Sequence, residues 1–403
     1  MRNLFKAFVL LALAAAAFYG CARPSARCTS PEDNPRHHYL AGMDLLEQDK
    51  VEDAAAKFDR AIYCDSSFGP AHGGMAMVEA ARAGLTADEA HRKLEVEKSF
   101  DQLKSAYKNA ETPEDEFAYR LASMRVYTAL RIKGWLGEAE DDYKAAMKLK
   151  TDDRKLIYYD GREAASYFMG LAYIEAREFQ LARDRFSDVL NAKKEGKWNA
   201  PADREWKRVD KIVSAMGGIT LGDVGKEIAL MGSVKRADMA ALIADELKID
   251  RLFAGRIPVK SEIDRMKPGF VPADVASNPF KEEILTMMKW GVRGFEPVYD
   301  EATRAYLFKP GEPLTRKDFA FVLEDILIKI TGDEKMAGAY FGHEKSPFPD
   351  VPATSAWYNA IMNVTTRNIM ETELSGEFRP NDSVDGAEAV LAVRVLRQRL
   401  NIY

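Results

Sequence analysis

A two-part pattern that recurs in the second half of the chain limits its possible folds most strongly. Residues 348–351 read Phe-Pro-Asp-Val, and Trp357 then begins an apolar run. A turn segment, Gly-Glu-Phe-Arg-Pro-Asn, follows at 376–381, and a second apolar run begins after Ala387. Because self-similar segments of this length each form one small structural unit, the pattern predicts repeated helix pairs.

The same order of segments occurs upstream. Residues 270–275 hold an Asp-Val pair with two extra residues before it, and Phe280 stands where Trp357 stands. Leu-Thr-Arg-Lys-Asp-Phe follows at 314–319, and a further copy is visible only as Val-Lys-Arg-Ala-Asp-Met at 234–239. The three predicted repeats cover about 219–253, 270–330 and 348–400.

The second run of each repeat has the spacing of an amphipathic helix. Its apolar positions are Met239, Leu242 and Ile243 in the first copy, Phe319, Val322, Leu323, Ile326 and Ile330 in the second, and Ala389, Ala392, Val393, Leu396 and Leu400 in the third. Thr315 stands where its hydroxyl can accept a hydrogen bond from the first helical turn. Each repeat therefore offers one helix whose apolar stripe must pack against its neighbours.

These segments resemble the S-layer homology repeat, a family whose members hold proteins on the bacterial cell wall by binding wall polymers. The resemblance implies that the motif arginine, Arg316 or Arg236 here, lies in a groove between repeats and meets anionic groups of the polymer. A guanidinium suits that role because it forms two-point hydrogen bonds to carboxylate or phosphate. Gly386 stands at the third arginine position, so one of the three grooves lacks its cation. The wall-polymer-binding residues implied by the resemblance are Arg316, Arg236, Thr315, Lys235, Trp357 and Arg379.

Alternative roles stay open for several of these residues. Arg316 either binds the polymer or forms a structural ion pair at the start of its helix. Trp357 either packs in the hydrophobic core, which is the favoured reading, or contacts the ligand. Arg379 is expected in a turn between helices, where it would at most assist binding.

The first residues of the chain predict export. A basic start at 2–6 precedes an apolar run at 7–19 and the pair Gly20-Cys21. This order is typical of a secretory signal, and the run is short for a membrane span. The small residue before the cysteine resembles a bacterial lipoprotein signal, and an ordinary signal with an unmodified thiol is the alternative. The predicted parts are a signal peptide at 1–20, a lipidated Cys21 and a flexible tether at 21–34.

The remaining cysteines form an even pair. If Cys21 carries a lipid, only Cys28 and Cys64 are left in the chain. An oxidising periplasm permits a disulfide between them, and two unpaired thiols are the alternative.

Residues 35–196 show a second, weaker repetition. A glycine is followed after 12, 4 and 3 residues by a small residue, a phenylalanine and another apolar residue; the two full sets are Gly42, Ala54, Phe58 and Ala61, and Gly170, Ala182, Phe186 and Val189. The spacing resembles the tetratricopeptide repeat, which implies an α-solenoid of degenerate helix pairs, a phenylalanine plug in each, and a concave surface for a protein or peptide. A generic helical bundle is the alternative. Candidate units are 35–68, 120–153 and 163–196, whereas 70–118 fits poorly; 197–218 is the predicted linker to a domain at 219–403.

A search for catalytic chemistry finds no motif. None of the five histidines lies in a zinc-binding pattern, and no nucleophile or phosphate-loop signature occurs. The net charge of −5 argues against general binding to nucleic acid. The sequence therefore predicts a protein that is not an enzyme and that needs no cofactor or metal.

The combined prediction is a mainly α protein of the bacterial envelope. It would be lipid-anchored, in the outer membrane facing the periplasm, with peptidoglycan or a secondary wall polymer bound by the C-terminal domain and an unknown protein or peptide bound by the repeats. The alternative is an outer-membrane assembly or trafficking scaffold whose S-layer homology domain has become a protein-interaction module.

Overall fold

The computed structural model describes residues 28, 30–192, 195–217, 220–254 and 269–400. The described chain is mainly helical, which confirms the predicted fold class. It divides into two compact units between Lys207 and Arg208. The predicted signal peptide and Cys21 lie outside the described residues. No helix among the described residues is both long enough and apolar enough to cross a membrane.

The N-terminal unit consists of helical hairpins in sequence. Its helices are α1 (Pro35–Leu46), α2 (Val51–Cys64), α3 (Gly69–Leu85), α4 (Glu89–Lys108), α5 (Pro113–Leu130), α6 (Trp135–Lys148), α7 (Glu163–Glu175) and α8 (Phe179–Asn191). Each odd-numbered helix pairs with the helix after it, and the first helices α1, α3, α5 and α7 also contact one another in order. The poorly fitting segment 70–118 thus supplies the hairpin α3–α4, and the unit expected at 120–153 begins earlier, at Pro113.

A phenylalanine fills the space between helices in this unit. Phe58 is completely buried, and a Cβ atom at Gly42 would lie 2.6 Å from its ring. A Cβ atom at Gly74 on α3 would lie 2.3 Å from the same ring. Phe186 and Gly170 repeat the arrangement, again with 2.6 Å between ring and Cβ. The glycines are therefore needed because any side chain there would overlap the aromatic ring.

A disulfide holds the start of the described chain to the first hairpin. Cys28 and Cys64 are joined, and both are buried. Cys64 is the last residue of α2, so the bond links the segment ahead of α1 to the end of the second helix. It closes a loop across 36 positions, which restricts the unfolded chain.

Helix α9 (Asn199–Met216) contains most of the predicted linker and crosses the boundary between the two units. The linker prediction rested on a basic run and the glycine pair at 217–218. Between those signals, the apolar residues Ala202, Val209, Ile212 and Ala215 are buried, and their spacing is that of a helix face.

The described part of the C-terminal unit has two helices in each of the three predicted repeats. They are α10 (Asp223–Ala229) and α11 (Arg236–Leu247), α13 (Lys281–Lys289) and α14 (Arg316–Thr331), and α15 (Tyr358–Thr366) and α16 (Gly386–Arg399). Between repeats, α13 packs on α11, α15 packs on α14, and α10 packs on α16. A short helix α12 (Ile249–Ala254) follows the first pair, and a hairpin of β1 (Val298–Asp300) and β2 (Ala305–Leu307) lies within the second.

The three repeats meet through a closed ring of backbone hydrogen bonds. The N–H of Val234 donates to the carbonyl of Val384 at 2.8 Å, Val384 donates to Leu314 at 3.0 Å, and Leu314 donates to Val234 at 2.9 Å. These residues occupy equivalent positions just before the second helix of each repeat. The ring places the three motif segments around one centre and gives the unit approximate threefold symmetry.

Candidate functional site

The aspartate of each Phe-x-Asp-Val segment fixes the turn of its own repeat. In the third repeat, the Asp350 carboxylate accepts the N–H groups of Phe378 and Arg379 at 2.9 and 2.6 Å. In the second repeat, Asp274 accepts the equivalent N–H groups of Phe308 and Lys309 at 3.0 and 2.7 Å. These aspartates are therefore structural, because both of their oxygens are engaged by the backbone.

The motif arginine of the second repeat is buried against the turn of the third. Arg316 is 4% exposed, and its Nε donates to the carbonyl of Phe378 at 2.7 Å. One terminal nitrogen donates to the carbonyl of Glu371 at 2.7 Å, and the other pairs with the carboxylate of Glu388. The guanidinium carbon also lies 4.7 Å from the centre of the Phe378 ring. Burial lowers the pKa of Arg316 from its ordinary value.

Arg236 makes the equivalent contacts one repeat earlier. Its Nε donates to the carbonyl of Phe308 at 2.9 Å, and its terminal nitrogens donate to the carbonyls of Gly294 and Glu296 at 2.8 and 3.3 Å. Its guanidinium lies 4.9 Å from the Phe308 ring. Burial again lowers the pKa of the arginine. Each motif arginine thus clamps the turn of the following repeat, and Arg316 adds an ion pair to Glu388 in the first turn of α16 rather than in its own helix. Contact with a polymer stays a prediction for both arginines.

The third repeat has Gly386 at the position of the motif arginine, and the structure leaves no room for a side chain there. A Cβ atom at Gly386 would lie 1.7 Å from the carbonyl oxygen of Ile228, and the Gly386 N–H donates to the carbonyl of Met231 at 2.8 Å. The backbone at the end of the short helix α10 therefore occupies the space in which an arginine side chain would begin. The absence of the third arginine follows from the short first helix of the first repeat.

A groove remains beside Arg316, and it forms the candidate polymer site. Its cavity of about 170 Å³ is lined by Lys211, Arg316, Ile369, Met370, Glu371, Thr372, Glu373, Arg379, Asp385, Glu388 and Leu391. Arg316 lies at its base, whereas the side chains of Lys211 and Arg379 are 55% and 45% exposed. The groove thus has a buried cation and two accessible ones.

The accessible cations of the groove are held by surface carboxylates. Lys211 pairs with Asp385, which also caps α16. Arg379 pairs with Glu373 at 2.9 Å and with Asp382 at 3.4 Å. Exposed pairs of this kind contribute little stability, so an anionic ligand can compete for the cations at low cost. Lys211 was missed from the sequence because it lies on α9, outside every repeat motif.

Trp357 stands at the N-cap of α15 and is half-buried, so it is not the core residue that the sequence favoured. The next residue, Tyr358, packs in the hydrophobic core instead and has no exposed surface. The ammonium group of Lys317 lies 4.5 Å from the Trp357 ring centre and donates to the Asn381 side chain at 2.7 Å. The tryptophan therefore presents one partly open face beside a cation.

The two N-cap residues of the motif differ in exposure. Thr315 caps α14, and its hydroxyl oxygen accepts from the N–H of Asp318 at 3.4 Å. Lys235 precedes α11 and is exposed, while its backbone N–H donates to Asp238 at 3.1 Å. Thr315 is thus committed to the helix start, as predicted, and only Lys235 has a side chain free to meet solvent-borne ligands.

One cluster in the described part of the chain has the spacing of a metal site. The potential ligand atoms of Cys28, Asp33 and Cys64 lie within 4.8 Å of one another. The two sulfur atoms are bonded to each other, and Asp33 accepts two hydrogen bonds from Arg60 at 2.9 and 2.6 Å. The Arg60 hydrogen bonds hold the pKa of Asp33 at about 2. The cluster is therefore explained without a metal.

The segment between α6 and α7 packs on the first helices of the hairpins. It places Tyr158 and Tyr159 against these helices, and both are buried. The Tyr159 ring centre lies 6.0 Å from those of Phe117 on α5 and Phe168 on α7. Tyr158 lies 6.4 Å from Tyr39 on α1.

Trp198 packs on the same segment. Its indole N–H donates to the Tyr159 carbonyl at 2.5 Å, and its ring stacks on Tyr167 at 5.0 Å. The Tyr158 hydroxyl donates to Glu47 at 3.1 Å, and burial raises its pKa far above the ordinary value. Aromatic side chains of the chain therefore cover this face of the first helices, and binding of a protein or peptide by the repeats stays a prediction.

Comparison with known families supports the reading of the C-terminal repeats. The family model described as the S-layer homology domain matches residues 347–390, which span α15, the Arg379 turn and the start of α16. No match to the chain was found among curated proteins or among solved structures. Residues 347–390 of the C-terminal unit are therefore similar to the S-layer homology domain.

Proposed function

We propose that the protein is a non-catalytic cell-envelope lipoprotein that binds peptidoglycan or an attached wall polymer through its C-terminal unit. The observation that carries this proposal is the family match at 347–390, because S-layer homology domains generally bind such polymers. The helical unit is proposed to bind a protein partner, on a surface other than the face filled by Tyr158, Tyr159 and Trp198.

The groove beside Arg316 offers cations to an anionic polymer, although its four lining carboxylates outnumber its three cations, so that direct contacts rather than net charge would hold the ligand. Its two accessible cations, Lys211 and Arg379, stand on opposite elements, α9 and the turn before α16. A carboxylate or phosphate entering between them would replace Asp385 and Glu373 as their partner. Charge-assisted hydrogen bonds of this kind are the strong ones, and exposed ones weaken as salt rises.

We expect the double variant Lys211→Ala, Arg379→Ala to bind purified sacculi at least tenfold more weakly than the unchanged protein. A lost hydrogen bond to a charged group costs about 1.5–3 kcal/mol, and about 1.4 kcal/mol is tenfold in affinity. Co-sedimentation across a salt series measures the effect, with the chain lacking only the predicted signal segment. Lys207→Ala is the matched control, since Lys207 is an exposed lysine of the same helix that pairs with Asp203 away from the groove. If the double variant and the control bind sacculi equally well, the groove is not the polymer site.

We also predict that Cys21→Ser releases the protein from the membrane fraction or leaves an uncut precursor. One acyl chain gives only marginal membrane binding, so stable anchoring needs a multiply acylated cysteine. Fractionation and gel migration of the variant and of the unchanged protein measure this. A variant that fractionates and migrates like the unchanged protein would show that Cys21 is not the anchor.

A second candidate function rests on Gly386, where the third repeat has no room for the motif arginine. A domain that keeps the repeat fold while losing a groove can serve as a protein-interaction module in an assembly or trafficking scaffold. Absence of sacculus binding by the unchanged protein at low salt would favour this function over the first.

A further inference from the structure

The second repeat carries an insertion that the third repeat lacks. The arginine clamps make Gly294 equivalent to Glu371, and Phe308 equivalent to Phe378. Phe308 follows Gly294 by 14 residues, whereas Phe378 follows Glu371 by 7. The additional residues form the hairpin β1–β2, so this element needs an explanation beyond the shared repeat fold.

Buried residues on both sides anchor the hairpin. It runs between Phe295 and Phe308, which are both buried and whose rings stack at 6.1 Å. The Asp274 carboxylate holds the N–H of Phe308, and Arg236 holds its carbonyl. Side chains presented by the hairpin are therefore pre-organised, which reduces the entropy lost on binding.

Three exposed aromatic rings, two on this hairpin and one from the segment before α13, lie against one another. Tyr299 and Tyr306 are cross-strand partners with ring centres 5.3 Å apart, and Phe270 lies 5.7 Å from Tyr306. Their exposed fractions are 50%, 53% and 46% in that order. We call these three residues the aromatic platform. Three contacting rings with about half of their surface in water form an apolar patch that a ligand can cover, unlike apolar side chains scattered singly over a surface.

The size of the platform argues against a stable protein partner. Half-exposed aromatic side chains offer roughly 100 Å² each, so the platform offers roughly 300 Å². A stable protein–protein interface needs about 800 Å² from each partner. A single saccharide ring, by contrast, can be covered on one face by one or two aromatic rings.

The charges around the platform argue against an anionic surface. The hairpin carries Asp300, Glu301 and Arg304, while Glu296 lies just before it and Lys309, whose charge acts on Asp300, lies just after it. The N–H and hydroxyl of Thr303 donate to Asp300 and lower the pKa of its carboxyl, so that this residue stays ionised. The net negative charge of the residues around the platform repels anionic lipid and phosphate-rich polymer, but it does not affect an uncharged sugar.

We propose that the aromatic platform binds uncharged sugar rings of a β-linked amino-sugar glycan. The apolar C–H face of a pyranose ring would pack on the ring faces, and the tyrosine hydroxyls would reach its polar edge. The proposal deepens the proposed wall-binding function and rests on it for the source of the glycan. It assigns the platform a separate role from the charged groove beside Arg316.

The test uses a soluble, uncharged hexamer of N-acetylglucosamine as the probe and titration calorimetry as the measurement. We expect the unchanged protein to bind the hexamer with an affinity that salt hardly alters, because no ionic contact is involved. The double variant Tyr299→Ala, Tyr306→Ala should lose at least tenfold in affinity. Tyr299→Phe, Tyr306→Phe should keep most of the binding, whereas Tyr299→Leu, Tyr306→Leu, apolar but without a flat face, should lose it. The phenylalanine variant guards against misreading a folding defect, since it replaces the same two tyrosines and is expected to bind.

The matched control is Tyr107→Ala. Tyr107 is 58% exposed and touches Tyr119 at 5.1 Å, so it resembles a platform residue but lies on α4. No hexamer binding by the unchanged protein, or equal affinity in the alanine variant and the control, would overturn the proposal. Equal binding by the leucine variant would overturn it too, since a general apolar patch would then suffice. These failures are separable from failure of the proposed function, in which sacculus binding is absent altogether.

Discussion

Replacing Arg316 with alanine is expected to lower the free energy of unfolding of the C-terminal unit by about 3–5 kcal/mol. This is the range for breaking a buried ion pair by removing one partner. The substitution leaves the Glu388 carboxylate, whose side chain is 13% exposed, without its cation. It also removes the donors to two backbone carbonyls in the turn of the third repeat.

Arg316→Lys should restore only part of this stability. An ammonium group can pair with Glu388, but it cannot also donate along the fork that reaches Phe378 and Glu371. Denaturant unfolding followed by circular dichroism measures both variants. Arg379→Ala is the matched control, because Arg379 is exposed and lies in the same groove; its effect should stay within about 1 kcal/mol.

The outcome decides between the two roles that the sequence left open for Arg316. A cost below about 1 kcal/mol, combined with loss of sacculus binding, would show that the guanidinium serves the ligand and that the clamp is incidental. A cost in the expected range means that Arg316 holds the groove in shape, and the sacculus-binding measurement of the Lys211 and Arg379 double variant then tests which cations meet the polymer.

Local patterns made the helices of the C-terminal unit predictable. The apolar spacing after Thr315 and Asp385 gave α14 and α16, because an amphipathic stripe and a cap are both encoded within a few residues. The role of Arg316 was not predictable in the same way. Its partners Glu371 and Phe378 lie 55 and 62 residues further along the chain. Only the folded arrangement of repeats brings them together.

The remaining features escaped prediction for the same reason. Lys211 belongs to α9 and enters the groove only through packing of that helix within the C-terminal unit. The segment containing Tyr158 and Tyr159 has no helical period, so nothing in the sequence shows that it fills the face of the hairpins. The tight contact at Gly386 depends on the backbone of Ile228, a residue in a different repeat. Each case is a tertiary contact with no local signature.

The second large effect is expected at Phe58 in the helical unit. Phe58→Ala should lower the free energy of unfolding by about 3–5 kcal/mol, the range for truncating a buried phenylalanine. The ring has no exposed surface and fills the gap left by Gly42 and Gly74, so its loss opens a cavity that the neighbouring backbone cannot close. Tyr63→Ala is the control, since Tyr63 lies on the same helix and is 54% exposed; surface changes usually stay within about 0.5 kcal/mol.

The contact between Phe58 and Gly74 also predicts that Gly74→Ala changes the free energy of unfolding in opposite directions in two backgrounds. In the unchanged protein, Gly74→Ala should destabilise the unit, because its Cβ would lie 2.3 Å from the Phe58 ring. In the Phe58→Ala background the same substitution should stabilise it, since the methyl group enters the cavity and alanine favours the helix by about 1 kcal/mol over glycine. A thermodynamic cycle of the four proteins measures the coupling directly. If Gly74→Ala has the same effect in both backgrounds, the two positions do not touch, and the phenylalanine does not act as a plug between the first and second hairpins.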